Sequence, residues 1–218
     1  MILGGIQDNT ILTKADNTIR RTAMGHYLSR RHFLKGTAVA LGALAASSLP
    51  FPHPVFAAPE NPLVVYFSWS GNTRGIARLL QQKVGGELVE LELVTPYSRD
   101  YNTCLEQAKQ DQQKGARPEL KTRIADMTRY DVIFLGYPNW WGTIPMPVAS
   151  FLEQYDFSGK TIVPFVSSGG SGLGRSVADI TRLCPSASIA EGLSVRSSGG
   201  SSLSGDMDAW LKKIGMAR

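Results

Sequence analysis

Leu63-Val64-Val65-Tyr66-Phe67 is a β-branched and aromatic run that stops abruptly at Ser68-Trp69-Ser70-Gly71-Asn72-Thr73-Arg74, after which apolar residues recur at helical spacing. The succession reads as strand, tight loop and helix, with the helix expected over about Asn72 to Val84. A strand ending in small polar residues at a helix start makes an anion cradle. The unpaired N–H groups of the first helical turn point back into the loop, and the helix dipole favours negative charge there. Ser68, Ser70, Asn72 and Thr73 add side-chain donors, and Gly71 admits a close backbone approach. The same residues would also serve as a plain helix cap. No Gly-x-x-x-x-Gly-Lys-Ser/Thr occurs, which disfavours a nucleoside triphosphate loop.

The rest of the body repeats the strand–helix theme. Glu87 to Glu92 alternates as a half-exposed strand, and Asn102 to Lys114 is a polar helix ended by Gly115-Ala116-Arg117-Pro118. Tyr130 to Tyr137 is continuously apolar, as a strand buried on both faces would be. Helix three is expected over Pro147 to Tyr155, strand four over Thr161 to Val166 and helix four over Arg175 to Leu183. Strand five follows at Ser188 to Leu193, and the last helix at Gly205 to Ile214. Strict alternation predicts an α/β three-layer sandwich on a five-stranded parallel sheet.

Charge separates the body from what precedes it. The formal net charge of +5 invites a nucleic-acid or membrane reading, but residues 1–57 hold six basic and two acidic residues, leaving 17 basic and 16 acidic in 58–218. The body is nearly neutral and carries no polybasic patch, so nucleic acid is not an expected partner. In the leader, Ser29-Arg30-Arg31-His32-Phe33-Leu34-Lys35 precedes an uncharged run, Gly36 to Leu49, and then Pro50 to Ala58. Basic, apolar and small-residue segments in that order predict a cleaved export signal. The paired arginines before Phe-Leu-Lys resemble a bacterial twin-arginine signal. Cleavage is expected after Ala57, giving a leader at 1–57, a mature domain at 58–218, an extracytoplasmic or periplasmic location and no lasting membrane anchor. Met24 would make a more ordinary start than Met1.

Residue types exclude some chemistry. All three histidines, His26, His32 and His53, precede the body, which rules out histidine-dependent hydrolysis and imidazole metal sites there. No catalytic residue and no metal site is expected. Cys104 and Cys184 are placed at opposite ends of the sheet, so a disulfide within the molecule is not expected. Cys184 reads as core, and the role of Cys104 stays open.

Three strand exits carry the remaining unusual residues: Ser68 to Arg74, Pro138-Asn139-Trp140-Trp141-Gly142-Thr143, and Ser168-Gly169-Gly170-Ser171-Gly172. Adjacent tryptophans in a Pro/Gly-bounded loop cannot both point inward. One either stacks on a flat aromatic ligand or packs on the neighbouring helix. Gly170-Ser171-Gly172 is no dinucleotide fingerprint, because Arg175 occupies the third glycine position.

The Ser-x-Ser-Gly-Asn-Thr loop, the Tyr-Pro-x-Trp-Trp-Gly-Thr loop and the Ser-Gly-Gly-Ser-Gly loop together resemble the flavodoxin family over residues 62–215, and most closely a short-chain bacterial branch. Thr95-Pro96-Tyr97 and Gly115 to Leu120 fit that branch as well. The resemblance implies strand order 2-1-3-4-5, which sets the three exits side by side at the topological switch point. It implies FMN as cofactor, with the phosphate held by Ser68, Ser70, Gly71, Asn72, Thr73 and Arg74 in a loop that includes Trp69. Pro138, Asn139, Trp140, Trp141, Gly142 and Thr143 would hold the ring, with Ser168, Gly169, Gly170, Ser171 and Gly172. Asn139 stands where the branch has an apolar residue. The third loop also lacks a stacking tyrosine, so one ring face should be open.

Two activities follow from the resemblance: an electron carrier serving redox partner proteins, and an FMN-dependent NAD(P)H:quinone or nitro-compound reductase. No Asp or Glu lies within 68–74, 136–145 or 167–175, whereas Arg74 and Arg175 do. This predicts a less negative second-electron potential than that of an acidic flavodoxin.

Overall fold

The computed structural model describes residues 60–218, so the expected export signal, cleavage point and start codon lie outside the described residues. Among the described residues five α-helices and six strands follow one another: β1 (Leu63–Tyr66), α1 (Asn72–Val84), β2 (Glu87–Glu90), α2 (Tyr101–Lys114), β3 (Val132–Pro138), α3 (Met146–Gln154), β4 (Thr161–Ser168), α4 (Ser176–Leu183), β5 (Ser188–Ile189), β6 (Leu193–Arg196) and α5 (Leu203–Lys213). All the strand pairs are parallel, in the order β2-β1-β3-β4-β5, with β6 also paired to β4.

Burial explains the ranks within the sheet. Every residue of β1 and β4 is buried, as are Val132 to Tyr137 of β3. β2 is the half-exposed edge that its alternating acids require. Successive residues of β1 face opposite ways. Leu63, Val65 and Phe67 join Ile133, Val148, Phe151 and Ile180 beneath α3 and α4. Val64 and Tyr66 join Ile76, Leu80, Phe134, Met207 and Trp210 beneath α1 and α5. Helices on both faces therefore make the three-layer sandwich that the sequence predicts.

Helix ends follow local chemistry. Asp100 caps α2 by accepting from the Thr103 N–H at 2.9 Å. At the other end Gly115 takes a left-handed φ of 60° while the Ala116 N–H reaches back to the Asp111 carbonyl. α1 differs: no side chain of its N-cap, Gly71 (φ 92°), caps it.

The fifth strand corrects the sequence reading. An unbroken strand over Ser188 to Leu193 is expected, but the structure divides it into β5 and β6. Ile162 pairs with Ile189 and Phe165 with Leu193, so the edge chain takes one residue more than β4 between those pairs. The extra residue is a bulge beside Pro164, which has no N–H to offer a ladder. Trp210 of α5 donates from Nε1 to the carbonyl of Glu191 in the bulge at 2.9 Å. Among the described residues, no helix is long and apolar enough to cross a membrane.

Candidate functional site at the carboxyl edge of the sheet

β1, β3 and β4 are neighbours, so the loops that leave them share one rim, and hydrogen bonds tie those loops together. The Phe67 N–H donates to the Gly136 carbonyl and the Asn139 N–H to that of Ser167. Hydroxyls of Thr73 and Ser167 meet at 2.8 Å, both buried. Asn139 Nδ2 donates to the Gly172 carbonyl at 2.7 Å, and the Arg175 N–H to the Gly142 carbonyl at 2.9 Å. The structure thus brings together all three sets of residues singled out from the sequence.

The first loop converges on an oxygen. N–H groups of Gly71 and Arg74 both point to Ser68 Oγ at 3.2 Å, and that of Asn72 to Ser70 Oγ at 3.4 Å. Converging backbone donors at a helix start form a site for an anionic oxygen, which would displace the serine hydroxyl. Two loop residues face elsewhere: Thr73 is buried against Ser167, and Trp69 donates from Nε1 to the Ser98 carbonyl at 2.9 Å.

The paired tryptophans divide their duties. Trp140 packs edge-on against Phe67 and Tyr97, with ring centroids 5.4 and 5.2 Å away, so it belongs to the core margin. Trp141 is 46% exposed. Reciprocal hydrogen bonds between Trp140 and Thr143 close a two-residue turn, with φ 51° at Trp141 and 82° at Gly142. A left-handed tryptophan is strained. It is held by a bond from its Nε1 to the Leu105 carbonyl at 3.1 Å and by the Lys109 ammonium, 5.4 Å from its ring.

In the third loop, Ser168 Oγ accepts from the N–H groups of Gly172 (3.1 Å) and Gly170 (3.4 Å). Gly169, Gly170 and Ser171 are exposed, and a side chain on Gly170 would meet nothing within 4 Å. Asn139 Oδ1 is buried with no hydrogen-bond partner. A buried orphan acceptor between two loops is costly unless a donor arrives. An imide N–H at the edge of a flat heterocycle has the right polarity to satisfy it, and the loop donors have the right polarity for a phosphate. The residues present therefore fit a phosphorylated ring with such an edge.

Charge at the rim differs from the loop-by-loop count. Arg74 and Arg175 sit in loops without acids, but neither is left uncompensated. Arg74 forms an ion pair with Glu90 of β2, and Arg175 with Asp179 of α4. Glu90, Asp179 and the core partner Tyr97 are the residues that sequence reasoning missed, because each arrives from outside the three loops. A cavity of about 900 Å³ opens beside the first loop, floored by Phe67 and Leu91 and walled by Trp69, Tyr97, Arg74 and Glu90.

Asp179 also locks the second loop, because its carboxylate accepts from Thr143 Oγ1 as well as from Arg175 and Arg182. Burial pushes this carboxyl up, but the three hydrogen bonds outweigh it and hold it below the usual range. A depressed folded pKa adds stability above the unfolded value of about 3.9 and loses it as pH falls through the folded value. Asp179→Asn is therefore expected to cost about 1 kcal/mol at pH 7. Urea titrations of the two proteins should converge below about pH 4, and a gap that persists in acid would contradict the lock.

Both cysteines are free and buried. Burial pushes the thiols of Cys104 and Cys184 up to about 11, so neither is a thiolate at neutral pH. Among the described residues, no three His, Cys, Asp or Glu side chains cluster as a metal site would need.

The sequence model of one family, described as flavodoxin, matches residues 61–214. The chain belongs to the flavodoxin family. Crystal structures agree with this membership. A candidate flavoprotein of Bacteroides eggerthii is 32% identical with a TM-score of 0.63, over 71% of this chain and 97% of its own. One of Bacteroides uniformis is 26% identical with a TM-score of 0.60, over 72% and 99%. A Lactobacillus acidophilus flavoprotein, solved in complex with FMN, shares the fold at 22% identity and a TM-score of 0.56, over 71% and 97%. No protein among those with curated functions matches. In this flavodoxin, the rim of β1, β3 and β4 is the switch point at which open α/β sheets bind ligands.

Proposed function

We propose that this flavodoxin is an exported FMN protein that carries electrons between partner proteins. The observation that carries the reading is the pairing of a convergent N–H cradle at Ser68–Arg74 with the orphan acceptor Asn139 Oδ1 on the same rim. Family membership and the FMN complex of the Lactobacillus acidophilus flavoprotein support the choice of cofactor. Export rests on the twin-arginine pattern at Arg30-Arg31, a route that carries folded proteins and so suits a non-covalent cofactor.

Bound FMN would supply one- and two-electron chemistry. The chain's own groups bind and orient. Backbone donors of Gly71, Asn72 and Arg74 would take the phosphate. Asn139, Gly170 and Gly172 would meet the polar edge of the ring, and Trp141 offers an exposed aromatic face. Two carboxylates beside the loops, Glu90 and Asp179, are each paired with an arginine. The second electron is then opposed less than at an acidic rim. A redox titration is expected to give a less negative second-electron potential than acidic flavodoxins show, and a very low value would contradict it.

The cavity beside the first loop favours a second reading, an FMN-dependent NAD(P)H:quinone or nitro-compound reductase, since its apolar floor suits a flat organic substrate. Purified protein should be yellow, with flavin absorbance. Under anaerobic conditions NADPH should bleach it slowly if it is a carrier and within seconds if it is a reductase. Colourless protein that takes up no flavin would sink both.

A further inference from the structure

Arg74 has two sides. Its Nε donates to Glu90 Oε2 at 2.9 Å and its Nη2 to Oε1 at 2.5 Å, a bidentate grip. The third nitrogen, Nη1, is not among those that Glu90 grips and lies over the first loop, 3.9 Å from where a side chain on Gly71 would begin. Glu90 is itself fixed. The β1–β2 register sets it opposite Tyr66, whose hydroxyl donates to Oε2 at 3.0 Å, and its side chain is only 24% exposed. The Arg74 N–H is meanwhile held on Ser68 Oγ.

We propose that Glu90 is a positioning residue for phosphate recognition: it holds the Arg74 guanidinium by two nitrogens so that Nη1 is presented over Gly71. Glu90 thereby sets the preference for a phosphorylated flavin over the unphosphorylated one. This rests on the reading of the first loop as a phosphate site. Two effects of the carboxylate compete. Its charge repels a phosphate dianion, and its grip removes the rotamer freedom that a long arginine would otherwise lose on binding. The carboxylate grips the far side of the guanidinium, away from Nη1, and Coulomb repulsion weakens with distance and solvent exposure. The grip prevails.

The test compares FMN with riboflavin by fluorescence titration of the full-length protein. In wild type FMN should bind far more tightly than riboflavin. Glu90→Ala should lower that ratio about tenfold by weakening FMN alone, and Glu90→Gln, which keeps one acceptor oxygen, should recover part of it. Arg74→Ala should abolish the effect of Glu90, so that Arg74→Ala with Glu90→Ala discriminates no worse than Arg74→Ala. Unchanged or tighter FMN binding by Glu90→Ala overturns the proposal, as does a parallel loss of both flavins. Wild-type protein that binds the two flavins equally overturns the phosphate-site reading, and this inference with it.

Discussion

Gly136→Ala is expected to destabilise the fold by about 3 kcal/mol, the upper end of the cost of overfilling a packed core. The strand register sets Gly136 between Tyr66 on β1 and Phe165 on β4. A methyl group there would lie 2.2 Å from the Phe165 ring, which is fully buried in the core beneath α1 and α5. Phe165 is fully buried, so the added methyl must displace the ring or part the central strands. For a domain of this size the melting temperature should fall by about 6–12 °C. The Gly136 carbonyl also accepts from the Phe67 N–H where the first loop begins, so parting the strands should weaken FMN binding as well. A variant that melts with wild type would contradict this packing.

The second large effect lies at the rim. Gly174→Ala is expected to weaken FMN binding about tenfold while costing about 2 kcal/mol of stability. Gly174 has a φ of 55°, and a side chain there would start 2.4 Å from the Gly142 carbonyl oxygen and 3.1 Å from Asn139 Nδ2. That carbonyl accepts from the Arg175 N–H, and the Asn139 side-chain amide donates to the Gly172 carbonyl. Spreading the second loop from the third moves the Trp141 turn and Asn139 together. Isothermal titration with FMN and a urea melt separate the two costs. Wild-type affinity in a destabilised Gly174→Ala would show that the loops bind independently.

The central strands were legible because burial on both faces leaves a continuous apolar run, as in Val132 to Tyr137, which no solvent-facing element can carry. The edge was harder. That Ser188 to Leu193 would break depends on its register against Pro164, a fact of pairing that neither strand shows alone. At the site, the glycines and small hydroxyls marked the loops, since a tight turn needs those residue types wherever it falls in the fold. The ion pairs left no local trace. Glu90 is 16 residues from Arg74 and reaches it only because β2 lies beside β1. The tryptophans were ambiguous for another reason. The left-handed turn that exposes Trp141 and leaves Trp140 against Tyr97 is set by the Trp140–Thr143 hydrogen bonds, whereas composition shows only a pair of large rings.

An electron-carrying role requires that the rim of β1, β3 and β4 closes on FMN. Titrating FMN with the full-length protein freed of flavin tests it most directly. Saturable one-to-one quenching of flavin fluorescence is expected, with a dissociation constant below about 1 μM, about −8 kcal/mol. Folded protein that leaves the fluorescence unchanged at high micromolar concentration would contradict it.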